Sequence, residues 1–419
     1  MHFSGVVLRR TSCDRVSGRR RTSLKAEITV RANDVFDRLS TNKLNICDTT
    51  LRDGEQTAGI VFANVEKIRI AKLLDEIGVP QIEVGIPAMG GDEKASIKRI
   101  ANMGLEASIL GWNRASLEDI SHSIDCDVDS IAISLSSSDV HIEHKLMKDR
   151  GWVLDRIVES VEYAKAHGLY ISVNAEDASR TDIDFMLEFA RTARDAGAHR
   201  IRYCDTLGIL TPADTYDRIK RLIDEVNLPV EMHTHNDFGM ATANTIVGVQ
   251  AGATFLSTTV IGIGERTGNT PLEEVAMGTK HLLNIDMGID THRLREIAEY
   301  VAKASGRIIP DWKPIVGSNC FAHEAGIHAD GVMKCHSNYE PYPPEEVGMD
   351  RQIIIGKHSG RATIRHVLNK NGIEIDDDAA AVILDMVRAT SISLKRSLTE
   401  NELQYIYQDY MEDIKKHPR

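Results

Sequence analysis

From residue 44 onward, short apolar runs alternate with stretches whose apolar residues recur at helical spacing. The runs predict strands at 44–47, 81–84, 106–110, 130–133, 170–173, 200–203, 230–233 and 255–258. Between them, Leu154, Ile157, Val158, Val161 and Ala164 mark one face of a helix, as do Ile219, Leu222, Ile223 and Val226. Gly78, Gly168 and Gly197 stand where a left-handed residue would end a helix and lead into the next strand. Eight such units in series predict an α/β fold, a (β/α)8 barrel over residues 43–288, whose ligands gather at the C-terminal ends of the strands.

After Asp286 the pattern becomes mostly helical, and residues 289–419 are expected to form C-terminal subdomains with helices near 291–307, 361–371 and 376–395. Residues 320–331 read as irregular, and 339–344, with three prolines, as an extended crossing segment. Residues 1–42 differ in kind. Arg9, Arg10, Arg15, Arg19, Arg20 and Arg21 stand among Ser, Thr and Gly, which predicts a basic, disordered tail. The same composition suits an organelle transit peptide, but no periodic helix accompanies it, so a tail is the preferred reading.

Composition narrows the function classes. A net charge of −12 over 419 residues disfavours a nucleic-acid partner. The six cysteines contain no Cys-x-x-Cys pair and read as reduced thiols of a cytoplasmic protein. No apolar run approaches membrane-spanning length.

Candidate chemistry lies at the predicted strand ends. His233 and His235, one residue apart at the end of the seventh strand, aim to the same side and can share one cation. Two imidazoles commonly take a carboxylate as third ligand, and Asp53, in the turn after the first strand, supplies one beside the cation of Arg52. Glu83, Glu176, Asp205 and Thr206 fall at the same end of the barrel. The glycine-rich loop 262–269 ends in Asn269, a short polar side chain near the expected metal. The donor set leaves Mg, Mn and Zn open.

The chain resembles the metal-dependent acyl-CoA Claisen-condensing enzymes that include isopropylmalate, citramalate and homocitrate synthases. The motifs that carry the resemblance run in family order: Asp48-Thr-Thr-Leu-Arg-Asp-Gly-Glu-Gln56, Glu176-Asp-Ala-Ser-Arg180, Asp205-Thr-Leu-Gly208, His233-Thr-His-Asn-Asp-Phe-Gly239, Gly262-Ile-Gly-Glu-Arg-Thr-Gly-Asn269, Gly326-Ile-His-Ala-Asp-Gly331 and Gly356-Lys-His-Ser-Gly-Arg361. Within that family, Glu83-Val-Gly-Ile-Pro-Ala-Met-Gly-Gly-Asp-Glu93 and Leu110-Gly-Trp-Asn-Arg114 look most like the homocitrate synthases associated with nitrogen fixation, whose product serves the nitrogenase iron–molybdenum cofactor.

The resemblance implies that acetyl-CoA is deprotonated at its methyl group, that the enolate attacks a 2-oxo acid, and that the thioester is then hydrolysed. It implies 2-oxoglutarate first among acceptors, with 2-oxoisovalerate and pyruvate behind. By the same resemblance, Asp53, His233 and His235 hold a divalent cation, with Asn269 and Gln56 in support, Arg52 stabilises charge on the substrate oxygen, and Thr206 binds the substrate carboxylate. Glu176 and His328 transfer protons, His328 reaching the active site of the second copy in a homodimer with exchanged C-terminal segments. The lysine-pathway homocitrate synthases carry an Arg just before their Glu-Asp pair to grip the distal carboxylate. Here that stretch is Ile171-Ser-Val-Asn-Ala175, so Arg114 and His141 become the candidates.

A related acyl-CoA lyase would carry a Cys in the glycine-rich loop, and loop 262–269 has none. A metal hydrolase would need a further bridging Lys or Asp set. A non-catalytic paralogue would have no reason to keep the ligands together with both proton-transfer groups.

Overall fold

The structure, a computed structural model, describes Val35, Leu39 and residues 43–416. The chain divides into two compact units, residues 1–289 with 304–306, and residues 290–303 with 307–419. The first unit is the expected barrel. Its eight parallel strands close in sequence order: β1 (Asn45–Asp48), β2 (Gln81–Gly85), β3 (Ser108–Arg114), β4 (Ser130–Ser136), β5 (Tyr170–Glu176), β6 (Arg200–Asp205), β7 (Val230–Thr234) and β8 (Phe255–Thr258). Closure pairs Asn45 with Phe255 and Asp48 with Thr258, so the first and last strands share one register.

The third strand departs from the expectation. It starts at Ser108 and runs on to Arg114, four residues past the expected end at 110. The added length keeps a polar side chain inside: buried Asn113 donates to the Gly111 carbonyl at 2.9 Å and accepts from the Ser123 hydroxyl at 2.7 Å. Helices follow the strands where sequence chemistry starts and stops them. Asp182 caps Ile183–Ala196 by accepting from the Phe185 N–H, and Thr211 caps Pro212–Val226 with proline in the first turn.

Alternation along a strand sends every second side chain to the barrel axis. In most barrels those positions are branched and apolar. Here four of them are charged. Gln81 Oε1 accepts from Arg200 Nη2 at 2.5 Å, and Arg200 Nε lies 2.6 Å from Glu231 Oε2. Arg202 Nε lies 2.8 Å from Glu231 Oε1 and its Nη2 lies 2.6 Å from Glu83 Oε2, as ion-pair approaches rather than aligned hydrogen bonds. Glu83 in turn accepts from Arg52 Nε. All four charged residues on β2, β6 and β7 are fully buried. Burial alone would protonate Glu83, yet Arg202 and Arg52 hold its carboxyl below the ordinary range. The Arg200 guanidinium also lies 4.5 Å from the Phe255 ring centre and 5.4 Å from that of Tyr170.

Below this ladder, Val35 and Leu39 pack with Tyr170 and Phe255 into a small buried cluster. The packed chain thus begins before residue 43. The remainder of the tail expected over 1–42 lies outside the described residues.

Past the barrel the expected helices are Leu294–Ser305, Arg361–Lys370 and Asp377–Leu394, and Ile364, Leu368, Ile383, Val387, Leu398 and Leu403 form a core shared by the last two. Two further helices were not expected. Gly326–Lys334 falls in the stretch read as irregular, and Glu400–Lys416 ends the described chain. Gly331, a poor helix former, is needed there: a Cβ would stand 2.5 Å from the Tyr339 ring.

Removing one member of the ladder leaves a buried charge without its partner. Glu231→Gln, which strands Arg200 and leaves Arg202 only Glu83, is expected to cost about 3–5 kcal/mol, read as a lowered midpoint in denaturant unfolding. A second prediction concerns acid. His199 is stacked on Tyr170 with ring centres 4.8 Å apart, and its Nδ1 accepts from the Ile171 N–H at 2.9 Å. Burial, then the charges of Arg200 and Lys165, push its pKa down to about 4. Between that value and the unfolded value of about 6.5 the unfolded chain takes up a proton that the native state refuses. Stability is therefore expected to fall as pH drops through this window, by up to about 1.4 kcal/mol per unit. In thermal melts at pH 4.5 to 7, His199→Gln should flatten that limb.

Candidate metal centre

The chain leaves β1 in a wide helical turn, Thr50–Gly54, that turns Arg52 and Asp53 inward. Asp53 N–H donates to the Thr49 hydroxyl at 3.2 Å, and Val260 N–H donates to Thr50 Oγ1 at 2.9 Å, tying the turn to the end of β8. On β7 the alternation continues through Glu231 and His233, and His235 follows just past the strand's end. These three elements converge. One ligand atom each from Asp53, His233 and His235 lie within 4.8 Å of one another, and all three residues are buried.

The geometry suits a cation. Nε2 of His233 is 3.3 Å and Nε2 of His235 is 3.9 Å from the same carboxylate oxygen of Asp53, with the two rings nearly perpendicular. His233 Nδ1 is fixed by the Ser257 hydroxyl at 2.8 Å, which leaves Nε2 to face the cluster. Burial, then the neighbouring His233, pushes His235 down to about 4, so at neutral pH the ring is uncharged and one of its nitrogens offers a lone pair. Asp53 stays ionised because Arg52 and the His233 hydrogen bond outweigh the burial that would protonate it.

Asn269 completes the group. Its Nδ2 donates to Asp53 Oδ2 at 2.6 Å, while its Oδ1 is buried without a hydrogen-bond partner. Turned about its last bond, the amide would offer that oxygen to the point where the other three ligands meet. The loop that carries it is folded back tightly. Gly268, at φ +97°, approaches the Gly262 carbonyl so closely that a Cβ would fall 2.0 Å from its oxygen. Arg266 in the same loop adopts a left-handed φ of 57° and is held there by Asp237, at 2.8 and 2.9 Å, and by the Thr206 carbonyl at 2.6 Å.

The other expected residues fall into two groups, with Arg114 and His328 outside both. Arg52, Gln56 and Thr206 stand at the same barrel mouth, Arg52 Nη1 being 3.2 Å from Asp53 and 3.4 Å from Gln56 Oε1. Thr206 Oγ1 accepts from the Asp177 N–H at 2.8 Å, which leaves its own hydrogen for a ligand. A cavity of about 580 Å³ opens beside Arg52 and Gln56, walled by Ile60, Phe62, Ile86 and Met89. Glu176 and His141 form a second group at the ends of β5 and the loop after β4. Ser136 Oγ donates to Glu176 Oε2 at 2.8 Å, Lys145 Nζ reaches both Glu176 oxygens at 2.6 and 2.8 Å, and His141 Nδ1 lies 3.8 Å away.

Arg114 does not join either group. Its Nε and Nη2 donate to the two oxygens of Asp119 at 2.8 and 2.7 Å, so its fork is already filled by a carboxylate of its own chain. His328 belongs to the second unit, where its ring stacks on Tyr339 with centres 4.2 Å apart. Pattern reading missed Ser257, Ser136, Lys145 and Arg266. Of these only Ser257 had a signal, its inward position on β8 opposite His233.

The residues predict a stoichiometric cation site. Titration of the chelator-treated protein with Mn²⁺ or Zn²⁺ should show one tight site per chain, lost in Asp53→Ala. Ser257→Ala, which removes only the bond that orients His233, should weaken it about 10- to 100-fold.

Comparison with known proteins agrees with this geometry. Residues 43–301 match the HMGL-like family, and residues 315–394 match the homocitrate synthase post-HMGL domain-like family. A 2-isopropylmalate synthase of Caldanaerobacter subterraneus subsp. tengcongensis is 58% identical, covering 87% of this chain and 95% of that one. A homocitrate synthase of Nostoc sp. is 50% identical over 86% of this chain and 96% of that one. The HMG-CoA lyase of Bacillus subtilis shares the fold at 18% identity, with a TM-score of 0.58 over 64% of this chain and 95% of that one. The chain belongs to the HMGL-like family, among the acyl-condensing synthases that include isopropylmalate and homocitrate synthases.

Proposed function

We propose that this protein condenses the acetyl group of acetyl-CoA with 2-oxoglutarate and hydrolyses the thioester, releasing homocitrate and CoA. The observation that carries the condensation is the meeting of Asp53, His233 and His235 beside Arg52 at the end of the barrel where Glu176 also emerges. A divalent cation on those three ligands supplies Lewis acidity for a bound 2-oxo group. Arg52 donates to the keto oxygen as it gains charge, and its aim is fixed by Glu83 and Asp53. Thr206 donates to the carboxylate next to the keto group. Glu176 takes the methyl proton, and His328 from a second copy of the chain serves the later proton transfer, in a homodimer with exchanged C-terminal segments.

Support for 2-oxoglutarate comes from the motifs 83–93 and 110–114 and from the similarity to homocitrate synthases. With Arg114 committed to Asp119, His141 and its neighbours remain for the distal carboxylate. A second reading, isopropylmalate synthesis from 2-oxoisovalerate, is favoured by the 58% identity to an isopropylmalate synthase and by that same commitment of Arg114.

The test is thiol release from acetyl-CoA by the metal-supplemented protein with 2-oxoglutarate, 2-oxoisovalerate and pyruvate in parallel. The highest kcat/KM is expected with 2-oxoglutarate, with homocitrate identified by mass. A preference for 2-oxoisovalerate would establish the second reading, and no thiol release with any 2-oxo acid would overturn the condensation itself.

A further inference from the structure

Glu176 does not stand alone at the end of β5. Beyond β4 the chain enters a wide helical turn, Ile142–Leu146, of the kind that carries an extra residue per turn and marks functional positions. It ends on Met147 in the left-handed region at φ 57°. Ser138 starts the segment by accepting from the His141 N–H, and Arg150 pins it by a fork onto Asp139 at 2.7 and 2.7 Å. The turn projects Lys145 at Glu176, where one ammonium spans both carboxylate oxygens while half of the side chain remains open to solvent. Beside it, His141 Nδ1 is buried and has no hydrogen-bond partner.

Both oxygens of this carboxylate are occupied. The ammonium and Ser136 together supply three contacts to them, so the ammonium must move aside, toward another anion, before a substrate C–H can approach. The condensation reading, on which this inference rests, supplies one. When the acetyl methyl loses its proton, the C–H electron pair becomes the carbon–carbon double bond of the enolate. The carbonyl π pair moves onto the thioester oxygen, and the proton goes to a Glu176 oxygen. Negative charge therefore leaves the carboxylate and appears on an oxygen only a few bonds away.

We propose that Lys145 is a catalytic residue that shifts from the Glu176 carboxylate to the thioester oxygen as this proton moves, so that base and enolate stabiliser form one pair. The half-open side chain gives it room to follow the charge, and the wide turn holds its backbone still. His141 Nδ1, lacking a partner, lies where it can meet whichever Glu176 oxygen Lys145 vacates.

The experiment uses the full-length, metal-loaded protein and compares wild type, Lys145→Met and Lys145→Arg in thiol release, with acetyl-CoA bearing either a normal or a trideuterated methyl group. Lys145→Met is expected to lose about 100- to 1,000-fold in kcat, with KM for the 2-oxo acid within about twofold and a larger deuterium effect on kcat than wild type, because proton removal becomes the slow step. Lys145→Arg, which keeps the charge, should recover at least tenfold of that loss. A kcat within threefold of wild type in Lys145→Met, or a loss confined to KM for acetyl-CoA, would overturn the proposal. Wild-type protein that releases no thiol would overturn the condensation reading, a result separate from any difference among the variants.

Discussion

The barrel interior is held by charge alternation. From Arg200 through Glu231, Arg202, Glu83 and Arg52 to Asp53, each buried ion has an opposite neighbour on one or both sides, and the series climbs from the bottom of the barrel to its mouth. An isolated ion in such a place would be prohibitively expensive. Paired on both flanks, Arg52 cannot swing away without exposing Glu83, and Glu83 cannot relax without stranding Arg202. The Arg52 guanidinium therefore owes its direction to Glu83 and, through it, to Arg202 deeper in the barrel. This is preorganisation by electrostatics: the cost of ordering the site is met when the barrel closes.

Much of this was legible in the sequence, for reasons that differ from residue to residue. Seven of the eight strands fall where apolar runs put them, because a strand buried on both faces reads as a continuous hydrophobic segment. His233 and His235 could be paired by parity alone, since side chains two apart share a face. Asp53 could be joined to them because the ends of parallel strands all meet on one side of the barrel. The third strand was read as ending at 110, short of the buried Asn113. What pattern cannot show is that Asn113 finds both its partners inside.

The unread parts depend on which partner a side chain finds, near or far in sequence. Arg200, Arg202 and Glu231 alternate with apolar residues in the way an ordinary half-exposed strand would, and nothing local says that the charged side is the inner one. Lys145 lies 31 residues from Glu176 on a turn with no periodic signature. The helix Gly326–Lys334 was hidden by its glycines, of which Gly331 makes room for the Tyr339 ring and Gly326 for the backbone of Gly360. Arg114 had the right charge and position for a substrate carboxylate, but Asp119, five residues on, takes its fork first.

The closure of β1 on β8 bears on how the protein is made. The carboxylate of the metal centre is at residue 53, its imidazoles are at 233 and 235, and the amide that contacts the carboxylate is at 269. A chain emerging from the ribosome shows the carboxylate early, yet it has no cluster to offer a cation until more than half its length has been synthesised. Until residue 269 has been added the four groups cannot meet, so the cluster is a property of the closed barrel and of no shorter piece of it.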